Sequence, residues 1–146
     1  MISFFYYIDN IWIKMDLEII NIASNTDNNR NIKDRTHHSK LKNPLCGDEL
    51  QIELIIKNNK IVDFGYYGKS CVFCQASASL LSKISINNKK DKINDLCEEA
   101  NFYFDENIEI EEKKWALLKI LFKNKYLARK ECILLPFKTL KKIVSK

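Results

Sequence analysis

The sequence predicts an α+β fold in which a small antiparallel sheet, built on a hairpin, packs against several helices. Strand-like alternation occupies the first half of the chain, up to Tyr67, and helix-like periodicity fills the part after Cys71. When strands come first and helices follow, the helices pack on the sheet instead of alternating with its strands. The length of 146 residues suits one domain with one core.

The hairpin is the best-defined element of the prediction. Apolar and polar residues alternate from Glu49 to Lys57, which is typical of a half-buried strand. Asn58-Asn59 can form a tight turn with left-handed backbone, after which Lys60 to Tyr67 forms the return strand. Because the second strand of a hairpin ends where the first begins, Asp48 and the segment around Cys71 are predicted at the same end of the sheet.

Helical periodicity recurs along the rest of the chain. The segment Glu109 to Tyr126 has apolar residues off any single stripe, including Trp115, so we predict one helix buried on two sides. Pro136 is predicted in the first turn of the last helix, where proline is tolerated. Cys97 falls on an apolar helix face and is predicted to be a core residue. The predicted helices are Asp16 to Ala23, the segment from Cys71 to Ile84, Asp91 to Phe104, Glu109 to Tyr126 and a last helix from near Cys132.

Composition argues against two classes of partner. The net charge is +5, but the lysines are scattered and form no basic block with interleaved aromatic residues, so nucleic acid is not expected as a partner. The apolar stretch Met1 to Met15 is far shorter than the ~20 residues of a membrane-spanning helix. Five cysteines, an odd number, indicate reduced thiols and a cytoplasmic protein.

The N-terminal stretch also lacks the marks of a signal peptide. It has no basic start and no small-residue cleavage site, and Asp9 and Asn10 interrupt it. We therefore expect residues 1–14 to be an extension that precedes a domain of residues 15–146. The alternative is a hydrophobic arm that docks on the domain. The first interpretation predicts that a chain beginning at Met15 melts at the same temperature as the full chain and is equally active.

The cysteine and aspartate residues just before and just after the hairpin suggest a metal site. Cys46 and Asp48 are two positions apart, and Cys71 stands at a strand-to-helix junction. Thiolates with one carboxylate are suitable ligands for a soft or borderline metal ion. Gly47, between the first two, gives the backbone the freedom to turn both side chains to one point.

Three ordered motifs carry a family resemblance. Asn43-Pro44-Leu45-Cys46-Gly47-Asp48, a hairpin, and then Gly68-Lys69-Ser70-Cys71 with Ala76-Ser77-Ala78-Ser79 resemble the NifU-like N-terminal family. Its members include the IscU and SufU proteins of iron–sulfur cluster assembly. Arg129-Lys130-Glu131-Cys132 is similar to the third family cysteine motif, which opens a helix. The resemblance extends from Met15 to the C-terminus and implies a SufE/NifU-like α+β fold.

The resemblance implies a function in iron–sulfur cluster assembly. The chain would act as a cluster scaffold, as a zinc-dependent acceptor of persulfide sulfur from a cysteine desulfurase, or as both. Its cargo would pass to recipient apo iron–sulfur proteins or carriers. Such a protein is a sulfur carrier more than a conventional enzyme. The separation of 61 positions between Cys71 and Cys132, and Glu131 in place of a histidine, resemble the SufU-like branch.

The implied site residues are three cysteines and one aspartate. Cys46, Asp48, Cys71 and Cys132 would bind zinc, and the three cysteines would bind a [2Fe–2S] or [4Fe–4S] cluster. A carboxylate oxygen binds thiophilic ions less firmly than sulfur, which suits a site that hands its cargo on. Cys132 and Cys71 are the expected persulfide acceptors, because each opens a helix and each can be freed from metal.

Other interpretations remain open at this stage. A zinc-stapled protein-interaction domain without sulfur chemistry would use a closed site, and such sites often contain a Cys-x-x-Cys pair like Cys71 and Cys74. Cys74 is therefore an additional metal or redox residue in that interpretation. His37 and His38 are adjacent and point to opposite sides of an extended backbone, which favours surface or partner contacts over metal binding. The first strand of the family is predicted to be missing or reduced to a few residues near Leu41.

Overall fold

A three-stranded antiparallel sheet, whose strands lie side by side in chain order, forms one layer of the molecule, and helices cover one of its faces. The computed structural model describes residues 17–106 and 113–146. The predicted extension of residues 1–14 and the start of the predicted helix at Glu109 therefore lie outside the described residues. The elements are α1 (residues 17–23), β1 (His37–Lys42), β2 (Glu49–Lys57), β3 (Lys60–Tyr67), α2 (Val72–Ser85), α3 (Lys90–Glu106), two 3-10 helices (Lys113–Ile120 and Asn124–Arg129) and α4 (Lys130–Val144).

The hairpin is confirmed with its predicted bounds. Asn58 and Asn59 have φ of 53° and 62°, the left-handed backbone that a two-residue hairpin turn requires. Strand β2 pairs with β3 from Gln51 opposite Tyr67 to Lys57 opposite Lys60. The hairpin thus returns the chain to the end of the sheet where β2 begins.

The prediction of a missing or reduced first strand is wrong. Strand β1 has six residues and pairs with β2 from His37 opposite Leu54 to Lys42 opposite Glu49. Its sequence shows little apolar alternation because it is an edge strand whose side chains are mostly exposed. Strand β1 is stabilised by its backbone hydrogen bonds to β2, and these do not depend on which side chains it carries.

The core lies between the sheet and helices α2, α3 and α4. Helix α2 is buried on nearly every side, and its alanine and serine residues allow close approach to the sheet. Cys97 is fully buried in this core, as predicted. The buried apolar side chains of these three helices include Phe73, Ala76, Leu80, Ile84, Ile93, Leu96, Ala100, Leu135, Leu140, Ile143 and Val144.

The prediction of a single helix from Glu109 to Tyr126 is wrong for the part that the structure describes. The chain forms two short 3-10 helices with a break at residues 121–123. Leu118 and Leu121, three positions apart, are both fully buried, whereas Leu117 is 56% exposed. A spacing of three matches the 3-10 helix, in which such side chains eclipse. The apolar residues of this segment therefore do not follow the period of an α-helix, because the segment is 3-10 helical. The side chain of Trp115 lies outside the described residues.

The position predicted for Pro136 is also wrong. Helix α4 begins at Lys130, directly after the second 3-10 helix, so Pro136 lies inside the helix and not in its first turn. Proline has no N–H, so the carbonyl of Cys132 lacks its usual helical donor. The proline ring is buried in the core, where its packing offsets the lost hydrogen bond.

The face of the sheet opposite the helices is covered by the loop between α1 and β1. Ile32 is 5% exposed, and its backbone N–H donates to Glu53 Oε1 at 3.0 Å. The Arg35 guanidinium forms an ion pair with Glu53 Oε2. The loop passes so close to β3 that a Cβ on Gly65 would collide with the Arg30 carbonyl oxygen. A carboxylate predicted to face solvent is thus buried under a loop.

We expect Glu53→Gln to lower the free energy of unfolding by about 1–2 kcal/mol at pH 7, because it removes the charge that Arg35 pairs with. Burial raises the pKa of Glu53, but the Ile32 N–H and Arg35 outweigh it and hold that pKa below the usual 4.5. The Glu53 carboxylate therefore stabilises the fold at pH values above its pKa in the unfolded chain. This stabilisation is lost as the pH falls through the lower pKa of Glu53 in the folded protein. Urea denaturation at pH 7 and pH 3 should show the difference shrinking in acid.

Asp63→Asn is the control for Glu53→Gln. Asp63 also pairs with an arginine, Arg30, at 2.6 Å, but both side chains are about a third exposed or more, at 32% and 43%. Exposed ion pairs contribute ~0.2–1 kcal/mol. If Asp63→Asn lowered the free energy of unfolding as much as Glu53→Gln, burial of the Glu53 carboxylate would not explain the effect.

Candidate metal centre

The loop of residues 43–48 is braced by Asn43. The backbone N–H of Asn43 donates to the Asp48 carbonyl at 2.7 Å, and its own carbonyl accepts from the Gly47 N–H at 2.8 Å. The Asn43 side chain accepts from the Leu45 N–H at 2.9 Å. Gly47 has φ of +76°, which glycine adopts without strain. This bracing fixes the directions of the side chains on either side of Gly47. Asn43 was predicted only as part of a motif, although an Asn-Pro pair is a turn signal.

The junction between β3 and α2 lies against this loop. The Glu49 N–H donates to the Lys69 carbonyl at 2.8 Å. Cys71 is the N-cap of α2 and is half-buried, and its backbone N–H donates to Asp48 Oδ1 at 3.1 Å. One oxygen of the aspartate therefore links the two ends of the hairpin directly.

Gly68→Ala is expected to destabilise the fold by about 3–4 kcal/mol, because strain and overpacking add at this position. Gly68 has φ of +151°, and a Cβ there would collide with the Glu49 carbonyl oxygen. Gly47→Ala is the matched control: its φ is also positive, but nothing lies within 4 Å of the added Cβ, so only about 1–2 kcal/mol should be lost. Chemical denaturation would measure the free energy of unfolding of both variants. Equal decreases would show that the contact with the Glu49 carbonyl oxygen does not add to the cost of Gly68→Ala.

Cys132 reaches the site from the first turn of α4. Its thiol lies 3.8 Å from Cys46 Sγ. Ser77 on α2 donates to the Ile133 carbonyl at 2.6 Å and fixes α4 next to the site. The ligand atoms of Cys46, Asp48 and Cys132 all lie within 4.8 Å of one another. Cys132, far from Cys46 and Asp48 in sequence, thus joins them at the predicted end of the sheet.

Cys71 is placed beside this group and not within it. Burial raises the pKa of Cys132, and the neighbouring Cys71 and Cys46 thiols raise it further. Cys71 therefore lies close to Cys132 as well as to Asp48. The structure brings all four predicted residues to one place, with Cys71 at its edge.

The donor set fits a thiophilic cation. Asp48 is 7% exposed, and its Oδ2 has no hydrogen-bond partner within the described part of the chain. A buried carboxylate oxygen without a partner is costly, and a bound cation would satisfy it. Two thiols lie within 4.8 Å of a carboxylate oxygen of Asp48, and such a set favours zinc or iron over magnesium or calcium. Cys46 is exposed, so an ion or a partner's sulfur can reach the group from solvent.

The remaining predicted residues have other surroundings. Cys74 is fully buried, and burial raises the pKa of its thiol to about 12. His37 and His38 are exposed on β1 and belong to no metal-ligand cluster of the described residues. Glu131 pairs with Lys138 at 3.2 Å on the surface of α4.

An apolar groove of about 490 Å³ adjoins the site. Phe73 packs edge-on against Tyr126 with ring centroids 5.1 Å apart, and Arg129 lies 5.6 Å over the Phe73 ring. These contacts join the first turn of α2 to the segment that leads into α4, and so help to hold Cys71 and Cys132 together. Sequence analysis did not identify them, because each contact joins residues more than fifty positions apart.

The sequence is similar to known families and proteins. The sequence profile of the NifU-like N-terminal domain family matches residues 16–102. An iron–sulfur cluster assembly scaffold protein IscU from Thermotoga maritima is 33% identical over 129 residues, which cover 88% of this chain and 90% of that protein. An uncharacterized protein from Borreliella burgdorferi is 31% identical over 127 residues, covering 85% and 80% respectively.

Solved structures share the fold. A crystal structure described as an iron–sulfur cluster assembly scaffold for the SUF system of Fervidobacterium islandicum AW-1 has a TM-score of 0.79 at 24% identity, covering 86% of this chain and 93% of that one. The N-terminal part of a NifU-like protein from Brucella abortus has a TM-score of 0.81 at 23% identity, covering 94% of both chains. Among the described residues, no helix is long and apolar enough to cross a membrane.

Proposed function

This chain belongs to the NifU-like N-terminal domain family of IscU-type iron–sulfur cluster assembly scaffolds, and from this membership we propose that it accepts sulfur from a cysteine desulfurase and assembles it with iron. The finished cluster passes to apo iron–sulfur proteins or carriers. The five free thiols suit a reducing compartment such as the cytoplasm.

One observation carries the proposal. Asp48 Oδ2 is buried and has no hydrogen-bond partner among the described residues, and a carboxylate oxygen of Asp48 lies within 4.8 Å of two thiols that come from different elements. Sulfur ligands on Cys46 and Cys132 bind iron firmly, and a carboxylate oxygen binds it less firmly. An iron–sulfur cluster, the cargo of this site, would thus have one ligand that opens easily during transfer.

Zinc is the proposed resident ion when no cluster is held. Cys46, Asp48 and Cys132 would bind it, and Cys71, which neighbours Cys132, is the proposed fourth ligand. Bound zinc would supply positive charge that keeps these thiols deprotonated. The chain's own contribution is the braced loop and the two helix starts that bring the ligands together.

Cys71 is the proposed sulfur acceptor. It is half-buried at the N-terminus of α2, where free N–H groups and the helix dipole favour negative charge. Its thiolate attacks the outer sulfur of the desulfurase persulfide, the donor's S–S bond breaks, and the donor cysteine leaves as a thiolate. Cys132, the alternative acceptor, is 4% exposed, so the persulfide of a partner protein reaches it less easily.

A zinc-stapled interaction domain is the second candidate function. The ligand set joins the loop of residues 43–48 to α4, so an ion there would also hold the fold together. The two candidates differ in chemistry: a staple binds zinc and takes no sulfur.

Anaerobic purification followed by metal and acid-labile sulfide analysis tests the proposal, together with a cysteine desulfurase assay. We expect bound zinc or iron with sulfide, and faster cysteine turnover when the protein is added as sulfur acceptor. Stoichiometric zinc with no sulfide, no persulfide and no effect on the desulfurase would favour the staple and contradict the proposal.

A further inference from the structure

Cys71 and Cys74 occupy the N-cap and the third helical position of α2. Cys71 has extended backbone, with φ of −71° and ψ of 170°, and its side chain makes no capping hydrogen bond. Residues three positions apart at the start of a helix are neighbours on one side of it. A Cys-x-x-Cys pair at a helix N-terminus is the arrangement found in disulfide oxidoreductases.

The two thiols differ in access. Cys71 is half-buried at the edge of the metal-ligand group, whereas Cys74 is fully buried behind it. A partner protein can therefore deliver sulfur to Cys71 but not to Cys74. Cys74 can react only with a sulfur atom that is already bound to its neighbour.

We propose that Cys74 is a resolving thiol that releases the sulfur carried by Cys71 as sulfide. This inference rests on the proposed function, which supplies a persulfide on Cys71. It assigns a role to a cysteine that lies outside the metal-ligand group, and it accounts for the change in oxidation state that cluster assembly requires, since persulfide sulfur must be reduced to sulfide.

The reaction balances within the pair. Cys74 Sγ attacks Cys71 Sγ, a new S–S bond joins the two residues, and the S–S bond of the persulfide breaks. The outer sulfur leaves with the bonding electrons and takes the Cys74 proton, so the product is hydrogen sulfide. This sulfur gains two electrons and each cysteine sulfur loses one. A dithiol reductant, such as dithiothreitol in the test below, then reduces the disulfide and restores both thiols.

The location suits the product. Cys71 donates its N–H to Asp48 at 3.1 Å and lies close to Cys132. Sulfide would be formed next to the residues proposed to hold iron, and its loss to solvent would be limited.

Inorganic polysulfide provides a direct test on the full chain. The reduced protein is treated with chelator, loaded with limiting tetrasulfide, separated from free sulfur species and incubated anaerobically without reductant. We expect sulfide release, measured as methylene blue, together with protection of two thiols from alkylation. Both cysteines lie on one tryptic peptide, between Lys69 and Lys83, so a disulfide appears as an unalkylated peptide that dithiothreitol converts to a doubly alkylated one.

Matched variants identify the residue responsible. Cys74→Ala should keep its sulfane sulfur, detected as thiocyanate after cyanide treatment, and release sulfide at least about tenfold more slowly. Cys97→Ala removes a thiol that is equally buried but lies elsewhere in the core, and it should behave as the wild-type protein. Release from Cys74→Ala at the wild-type rate would overturn the proposal.

If Cys74→Ala fails to fold, the role of Cys74 is tested on the wild-type protein by identifying which cysteines form the disulfide. Sulfide release accompanied by a disulfide between other cysteines, or by none, would overturn the role of Cys74. Because tetrasulfide loads the protein without a desulfurase, failure here contradicts the resolving thiol alone. Failure of the desulfurase assay contradicts the proposed function and leaves this result standing.

Discussion

Cys46→Ala is expected to weaken binding of zinc or cluster more than about 100-fold, whereas Asp48→Asn should weaken it no more than about tenfold. Loss of a supporting residue alone costs ~10–100-fold in metal affinity, and loss of a thiolate ligand costs more. Cys46 Sγ lies 3.8 Å from the Cys132 thiol, so its removal takes away one of two adjacent sulfur ligands. Asp48→Asn keeps an oxygen donor and leaves the thiols in place.

Asparagine is the informative replacement at position 48. Its side-chain oxygen can still accept the Cys71 N–H that Asp48 Oδ1 accepts at 3.1 Å. The variant therefore removes the negative charge and the second carboxylate oxygen of Asp48, but it keeps the hydrogen bond that links the loop of residues 43–48 to the start of α2. Metal content, acid-labile sulfide and the rate of cluster transfer to an apo-ferredoxin should be measured on both variants, with Cys97→Ala as the control. We expect Asp48→Asn to alter the transfer rate while retaining most of the cargo.

A purely structural zinc site predicts the opposite pattern. Binding energy at such a site is folding energy, so Asp48→Asn would lower the melting temperature as it lowers metal occupancy. Unchanged transfer together with collapsed stability in Asp48→Asn would count against a scaffold.

Cys71→Ser is expected to reduce persulfide loading from a cysteine desulfurase on the order of 100-fold or more, as removal of an attacking nucleophile generally does. The reason is that Cys71 combines access with a helix N-terminus, whereas Cys132 is 4% exposed. Cyanide-releasable sulfur on the metal-free protein, mapped by mass spectrometry after alkylation, would measure loading at each cysteine.

Cys132→Ser is the comparison variant for sulfur loading. It also loses a metal ligand, so it separates the two roles of the site: loading on Cys71 should stay close to the wild-type level while metal is lost. If Cys132→Ser lost the persulfide and Cys71→Ser kept it, the acceptor would be Cys132. The resolving role of Cys74 would then need transfer of sulfur from Cys132 to Cys71.

The hairpin and the apolar helix faces followed from sequence because local rules govern them. Alternation from Glu49 to Lys57 and two asparagines able to adopt positive φ determine the strands and the turn. Antiparallel return then places Asp48 near Cys71, whatever the rest of the chain does. The family resemblance added Cys132, which periodicity alone could not connect with Cys46.

Elements without a local signal could not be predicted in this way. Strand β1 depends on its ladder to β2, and the two 3-10 helices have no local pattern that distinguishes them from one α-helix. The burial of Glu53 depends on a loop that passes over Gly65. In each case the stabilising partner lies far away in the chain.

The sequence by itself identified Cys46, Asp48, Cys71 and Cys132 as the proposed sulfur and oxygen ligands and predicted which end of the sheet they share. Tertiary structure alone decided that Asp48 presents one oxygen to the Cys71 N–H and keeps the other buried, without a hydrogen-bond partner in the described part of the chain. It also decided that Cys71 is half-buried while Cys74 is buried. The physical reason is that access, desolvation and hydrogen-bond partners depend on what packs around a side chain, and packing is set by contacts across the whole fold.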